Sequence, residues 1–193
     1  MAADRSDDTL STSVVRPDPV GTCTIGVAVA IPEPFAAELQ RWRADFGDPF
    51  ANAIPPHVTL LPPTPVEERR LDEVHAHLDA AASAQRPFEM VLRGTGSFRP
   101  VSPVVFVQVA VGISECERVE KRVRAGLLHR DLAFYYHPHV TIAHDLDDAA
   151  LDQAFDTLAG YEAAFSVHGF SLYRHGQDGV WRAEDEFSFR APA

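Results

Sequence analysis

One short motif, His-Val-Thr followed by a branched aliphatic residue, occurs twice in this chain, and no other feature limits its possible folds as much. Residues 57–60 read His57-Val58-Thr59-Leu60 and residues 139–142 read His139-Val140-Thr141-Ile142, each directly behind a proline, Pro56 and Pro138. The copies stand 82 positions apart (139 − 57), and the same offset carries Val27-Ala28-Val29 onto Val109-Ala110-Val111. Two motifs that share an offset with their upstream strands imply an internal duplication. In the helix between them the offset drifts to 84 (119 − 35), where Phe35 and Leu39 match Val119 and Val123.

Hydrophobic periodicity fills in each half. Residues 23–31 read as a strand covered on both faces, and Pro34 opens a helix with Phe35, Leu39, Trp42 and Phe46 at helical spacing, closed by Gly47. Thr64-Pro65-Val66-Glu67 has the form of a capping box, ahead of a helix that buries Leu71, Val74, Leu78 and Ala81. Phe88, Met90 and Leu92 alternate as a strand that Gly94 and Gly96 break, and residues 104–111 form another. Ser114-Glu115-Cys116-Glu117 is a second capping box, with Cys116, Val119, Val123 and Leu127 on the buried side. Asp147 caps a fourth helix carrying Leu151, Phe155 and Leu158. Strands at 165–173 and 180–189 close the chain, turned at Asp178-Gly179.

Composition narrows the function. With 17 Lys and Arg against 28 Asp and Glu the net charge is −11, which excludes tight binding of long nucleic acid, since that requires cations against phosphates. No apolar run approaches the roughly 18 residues of a membrane span, and the acidic N-terminus is no signal peptide, so a cytoplasmic protein is expected. Residues 1–21 read as a flexible leader and 22–193 as one bilobal domain. Cys23 and Cys116 are too few for a disulfide framework and read as buried apolar residues.

Residues two apart in a strand share a face, roughly 6.6 Å from one another. His57 and Thr59 therefore line one surface, as do His139 and Thr141, while Val58, Leu60, Val140 and Ile142 point to the helices. If a pseudo-twofold axis relates the halves, two imidazoles oppose each other with a hydroxyl beside each. That arrangement suits displacement at phosphorus. One neutral ring takes a proton from the attacking oxygen, and the other, protonated, gives one to the departing oxygen. The threonines donate to the non-bridging oxygens. Core packing asks for repeated apolar residues, but it does not ask for the same two polar ones.

Other residues carry weaker signals. His137 shares parity with His139 and is placed at the substrate, with Tyr136 beside it; a metal set of His137, His139 and His57 or His144 would explain neither threonine. Phe134, Tyr135, Tyr136, Phe98, Tyr173 and Trp181 are candidates to stack on a base. Arg93, Arg99, Arg130, Arg174 and Arg182 are candidates for a phosphate tail.

With these residues on the page, the chain resembles the two-histidine (2H) phosphoesterase superfamily, and within it the bacterial 2'-5' RNA ligase-like or RNA 2',3'-cyclic phosphodiesterase group. The paired Pro-His-Val-Thr segments and the closing hairpin, residues 173–189, carry the resemblance. It implies an α+β, bilobal, pseudo-twofold duplicated fold with two antiparallel sheets around a central cleft and helices outside. It also implies metal-independent, cofactor-free opening of 2',3'-cyclic phosphates to 2'-phosphates, with His57, Thr59, His139 and Thr141 as the catalytic set. His139 is expected as base and His57 as acid. The expected partner is a small nucleotide or short RNA end carrying a cyclic phosphate, met by a monomer. The rival readings are a non-catalytic nucleotide-binding module and a metal-dependent hydrolase.

Overall fold

The computed structural model describes residues 19–190, so all but the end of the expected leader lies outside the described residues. The elements run β1 (Thr22–Ala30), α1 (Phe35–Asp45), β2 (His57–Glu67), α2 (Leu71–Ser83), β3 (Phe88–Ser97), β4 (Val104–Val111), α3 (Ile113–Val123), β5 (His139–His144), α4 (Asp148–Thr157), β6 (Glu162–Val167), β7 (Gly169–His175) and β8 (Trp181–Ser188). They form two antiparallel four-stranded sheets, ordered β2-β1-β7-β8 and β5-β4-β3-β6. Each motif strand is thus an edge strand beside the first strand of its own half. The two edges meet, because β2 touches β5, and each half's first helix reaches across: α1 packs on β5 and α3 on β2.

β1 is buried from Cys23 to Val29, as its unbroken run of apolar and β-branched residues requires. The alternation expected of the motifs is present. Val58, Leu60, Val140 and Ile142 are sealed in the core, and His57, Thr59, His139 and Thr141 are half-buried on the other face.

Strand pairing corrects the repeat. Ala30 lies opposite His57 and Ala28 opposite Thr59. Gln108 lies opposite His139 and Phe106 opposite Thr141. The equivalent strand positions are therefore 78 apart (108 − 30), not 82, and each ladder slips by one residue just beyond Thr59 and Thr141. The match of Val27-Ala28-Val29 to Val109-Ala110-Val111 is a coincidence of composition. The buried helical faces, Leu39 and Arg43 against Val119 and Val123, stand 80 apart (119 − 39), so the drift runs opposite to the expected one. The second half is therefore four residues longer between strand and motif (82 − 78), and its helix-to-motif connection is the longer one, 124–138 against 46–56 in the first half.

Local signals failed in four further places. β2 runs straight through Thr64-Pro65-Val66-Glu67, so no helix is capped there, and the Thr64 hydroxyl donates to the Pro62 carbonyl instead. An edge strand tolerates Pro62, Pro63 and Pro65 because one side of it needs no N–H donors. Gly112, at φ 98°, takes the cap position of α3 without a side-chain hydrogen bond, leaving Ser114 inside the first turn. The expected strand 165–173 is two strands in different sheets, split at His168. Gly94 and Gly96 do not end β3; Gly94, at φ 65°, carries a bulge within it. Asp147 caps α4 as expected, accepting from the Ala150 amide at 2.8 Å. The Asp178-Gly179 turn joins β7 and β8.

Candidate active site

Both motif histidines are oriented by the same local device. The Pro55 carbonyl lies 2.7 Å from His57 Nδ1, and the His137 carbonyl lies 2.7 Å from His139 Nδ1. A carbonyl only accepts, so each Nδ1 carries a hydrogen, and in a neutral ring each Nε2 is left with the lone pair. The prolines before the motifs favour an extended backbone, which lets the ring fold back on the carbonyl two residues upstream.

The loop that supplies the Pro55 carbonyl is itself stapled. Arg43, on the buried face of α1, donates through Nε and Nη2 to Asp48 at 3.0 and 2.9 Å and through Nη1 to the Ile54 carbonyl at 3.0 Å. The indole-bearing end of β8 adds a clamp, with the Trp181 amide donating to the Ala53 carbonyl at 2.8 Å. In the second half Arg124 bonds Glu120 and donates through Nη1 to the Arg130 carbonyl at 2.7 Å. Each lobe thus uses an arginine at the end of its first helix to hold the connection into its motif.

The two motifs share an electrostatic environment. Desolvation pushes His57 down to about 4; the Pro55 carbonyl opposes this, and the charges of Arg43 and His139 add to it. His57 is therefore neutral at pH 7 in the free protein. Around His139 the walls are aromatic: Phe98 meets its ring edge-on with centroids 4.9 Å apart, and Phe106 lies 5.1 Å away. Gly96 makes this possible, because a Cβ there would stand 2.5 Å from the Phe106 ring.

A cavity of about 250 Å³ opens beside these rings, and Thr59 from the first motif and His139 from the second both line it. Tyr136 and His137, the two sequence-predicted substrate contacts, line it too. The Tyr136 hydroxyl donates to the Thr59 carbonyl at 3.0 Å, and burial raises that phenol well above its usual range. Of the stacking candidates, Phe98, Phe134 and Tyr135 are also on the wall. Tyr173 and Trp181 are not; they are buried with Ala28 and Ile54. His57 and Thr141 occupy matching register positions but lie outside this cavity's lining.

None of the five arginine candidates lines it either. Arg93 pairs with Glu162, Arg99 with Asp148 and Asp152, Arg174 with Glu184 and Arg182 with Asp178, while Arg130 donates to the Pro63 carbonyl. Among the described residues no three His, Cys, Asp or Glu side chains converge as a metal-ligating group. No helix there is long and apolar enough to cross a membrane. Sequence reasoning missed Arg43 and Glu120, both charged residues inside an otherwise apolar helical stripe, and that interruption was the available signal.

The model of the 2'-5' RNA ligase superfamily matches residues 31–179. A curated Bacillus cereus protein named "Putative phosphoesterase" is 26% identical over 142 residues, covering 72% of this chain and 82% of the relative. One of Bacillus thuringiensis with the same name is 25% identical over the same length. Among solved structures, E. coli LigT complexed with 3'-AMP superposes with a TM-score of 0.67 at 17% identity, covering 88% of this chain and 99% of that one. LigT complexed with NADP+ gives 0.64 at 20% identity, covering 87% and 98%. A protein of Thermus thermophilus gives 0.57 at 23%, covering 88% and 100%. At these identities the structural likeness shows the fold.

Proposed function

We propose that this chain, which belongs to the 2'-5' RNA ligase superfamily, hydrolyses 2',3'-cyclic phosphodiesters to 2'-phosphates by acid–base catalysis from its two motif histidines, without a metal. One observation carries the reading: Thr59 of the first motif and His139 of the second line the same cavity. The nucleotides in the LigT complexes, 3'-AMP and NADP+, support a small nucleotide or short RNA end as the substrate. Both histidines come from one chain, so a cytoplasmic monomer suffices in this reading.

His57 is neutral at pH 7, and a general base must be neutral, so we give it the base role, the reverse of the expectation from the sequence. His57 Nε2 takes a proton from water as the water oxygen bonds to phosphorus. The bond from phosphorus to O3' breaks, and His139 Nε2 gives its proton to that leaving oxygen. His139 suits this second role because it adjoins the cavity that would hold the nucleoside. Thr59 and Thr141 donate to the non-bridging oxygens as charge collects there. Exchange with solvent resets both rings.

The test is incubation with nucleoside 2',3'-cyclic phosphates in EDTA. A single 2'-phosphate product is expected, with rates falling roughly 10²- to 10⁴-fold in His57→Ala and in His139→Ala. Residual activity should fall with rising pH in His57→Ala, which keeps only the acid, and rise with pH in His139→Ala. Swapped slopes would swap the roles. Binding without product would leave a nucleotide-binding module, and a rate abolished by EDTA and restored by zinc would make the protein a metal-dependent hydrolase.

A further inference from the structure

The second half's connection into its motif differs from the first half's in length and in residue type. Residues 46–56 lie under the Arg43–Asp48 staple, whereas residues 124–138 are four longer and bring Leu132, Phe134, Tyr135 and Tyr136 to the cavity wall. On the opposite rim Phe98 and Val101, from the turn between β3 and β4, complete an apolar slot that ends at His139. Val101, Phe134 and Tyr135 are 60%, 63% and 101% exposed, an unusual cluster for a protein of this charge unless something covers it. No Lys or Arg lines the slot. It is built for a flat uncharged ring rather than for a second phosphate.

One carboxyl side chain interrupts this apolar lining. Glu120, on α3, is 2% exposed and faces the cavity. Among the described residues its carboxylate has one partner, Arg124, whose Nε donates to Oε1. Arg124 engages Oε1, and the residue lines the cavity, which leaves Oε2 for a ligand there. Asp48, which pairs with the equivalent arginine in the first half, is used up by contrast: Arg43 and the Phe50 amide take both its oxygens. A carboxylate held in one orientation at the wall of an aromatic slot is an acceptor pair waiting for two parallel donors. Among the four bases guanine alone presents them, through N1–H and the N2 amino group.

We propose that the slot holds the base of the substrate and that Glu120 selects guanine, so that the substrate is a guanosine 2',3'-cyclic phosphate, free or at a short RNA end. This rests on the phosphodiesterase reading above and adds a specificity-determining residue to it. Guanine stacks between the Phe98 rim and the 132–136 loop, and Glu120 accepts from N1–H and N2–H. Adenine and cytosine offer one amino donor each, and uracil a single imino hydrogen flanked by carbonyls that the carboxylate repels.

The experiment compares kcat/KM for the four nucleoside 2',3'-cyclic phosphates and, in the His57→Ala protein, the Kd of the four nucleoside 2'-phosphates. Guanosine should lead uridine by about tenfold or more in both series. Glu120→Gln preserves side-chain size and an acceptor for Arg124, and should bring the guanosine-to-uridine ratio close to one. Equal constants for all four bases in the wild type, or a Glu120→Gln loss shared equally by all four, would overturn the proposal. Guanosine-selective binding with no turnover of any cyclic phosphate would sink the phosphodiesterase reading and leave the guanine site standing.

Discussion

The Tyr136 hydroxyl donates to the Thr59 carbonyl at 3.0 Å, tying the connection that leads into the second motif to the strand that carries the first. The bond adds a direct tie, beside the β2–β5 edge and the crossing helices, that holds His139 and Thr59 in one register. Tyr136→Phe should cost about 0.5–1.5 kcal/mol of stability, the ordinary worth of one hydrogen bond. Its larger effect should be on turnover, because the loop ahead of His139 loses its anchor. Burial keeps the phenol protonated across the working range, so the shape of the pH–rate profile should not change. A profile that lost one limb in Tyr136→Phe would make this tyrosine a proton donor instead.

The Arg43–Asp48 pair is sealed, with side chains 3% and 0% exposed. Asp48→Ala leaves a buried guanidinium without its counter-charge, a change that typically costs roughly 3–5 kcal/mol. Because Arg43 also holds the Ile54 carbonyl, the Pro55 carbonyl that orients His57 is loosened with it. Denaturant unfolding should report the stability loss. At temperatures where the variant stays folded, kcat should fall more than KM rises, since the loop orients His57, the proposed base, and does not line the cavity.

Much of this architecture was legible because duplication writes the same chemistry twice. The His-x-Thr parity in β2 and β5 followed from strand geometry alone, and the Asp147 cap and the Asp178-Gly179 turn followed from local chemistry. What misled were signals that a neighbouring strand overrides. Thr64-Pro65-Val66-Glu67 looks like a helix start, yet β1 pairs with it residue by residue from Thr22 to Ile25. The apparent 82-residue repeat in the upstream strands matched letters and not environments: Val27-Ala28-Val29 is buried throughout, whereas Ala110 and Val111 are exposed. Only hydrogen-bond register distinguishes Gln108 from Gly112 as the counterpart of Ala30. Gly96 could not have been read at all: its lack of a side chain matters only because the Phe106 ring lies over it and then against His139.

His57 links the pH dependence of stability to the site. Its folded pKa, about 4, lies below the unfolded value of 6.5, chiefly through desolvation. Between those values the unfolded chain binds a proton that the folded protein refuses. The stability that neutral His57 contributes is therefore fully present above pH 6.5 and drains away as the pH falls toward 4. His57→Gln removes this titration, so the variant should lose less stability than the wild type between pH 6.5 and 4, measured as the change in urea unfolding free energy across that window. Parallel losses in the two proteins would mean that the ring is solvated and charges freely in the folded state. The argument for His57 as the base would then fail with it, since a ring protonated at near-neutral pH has no lone pair to offer the attacking water.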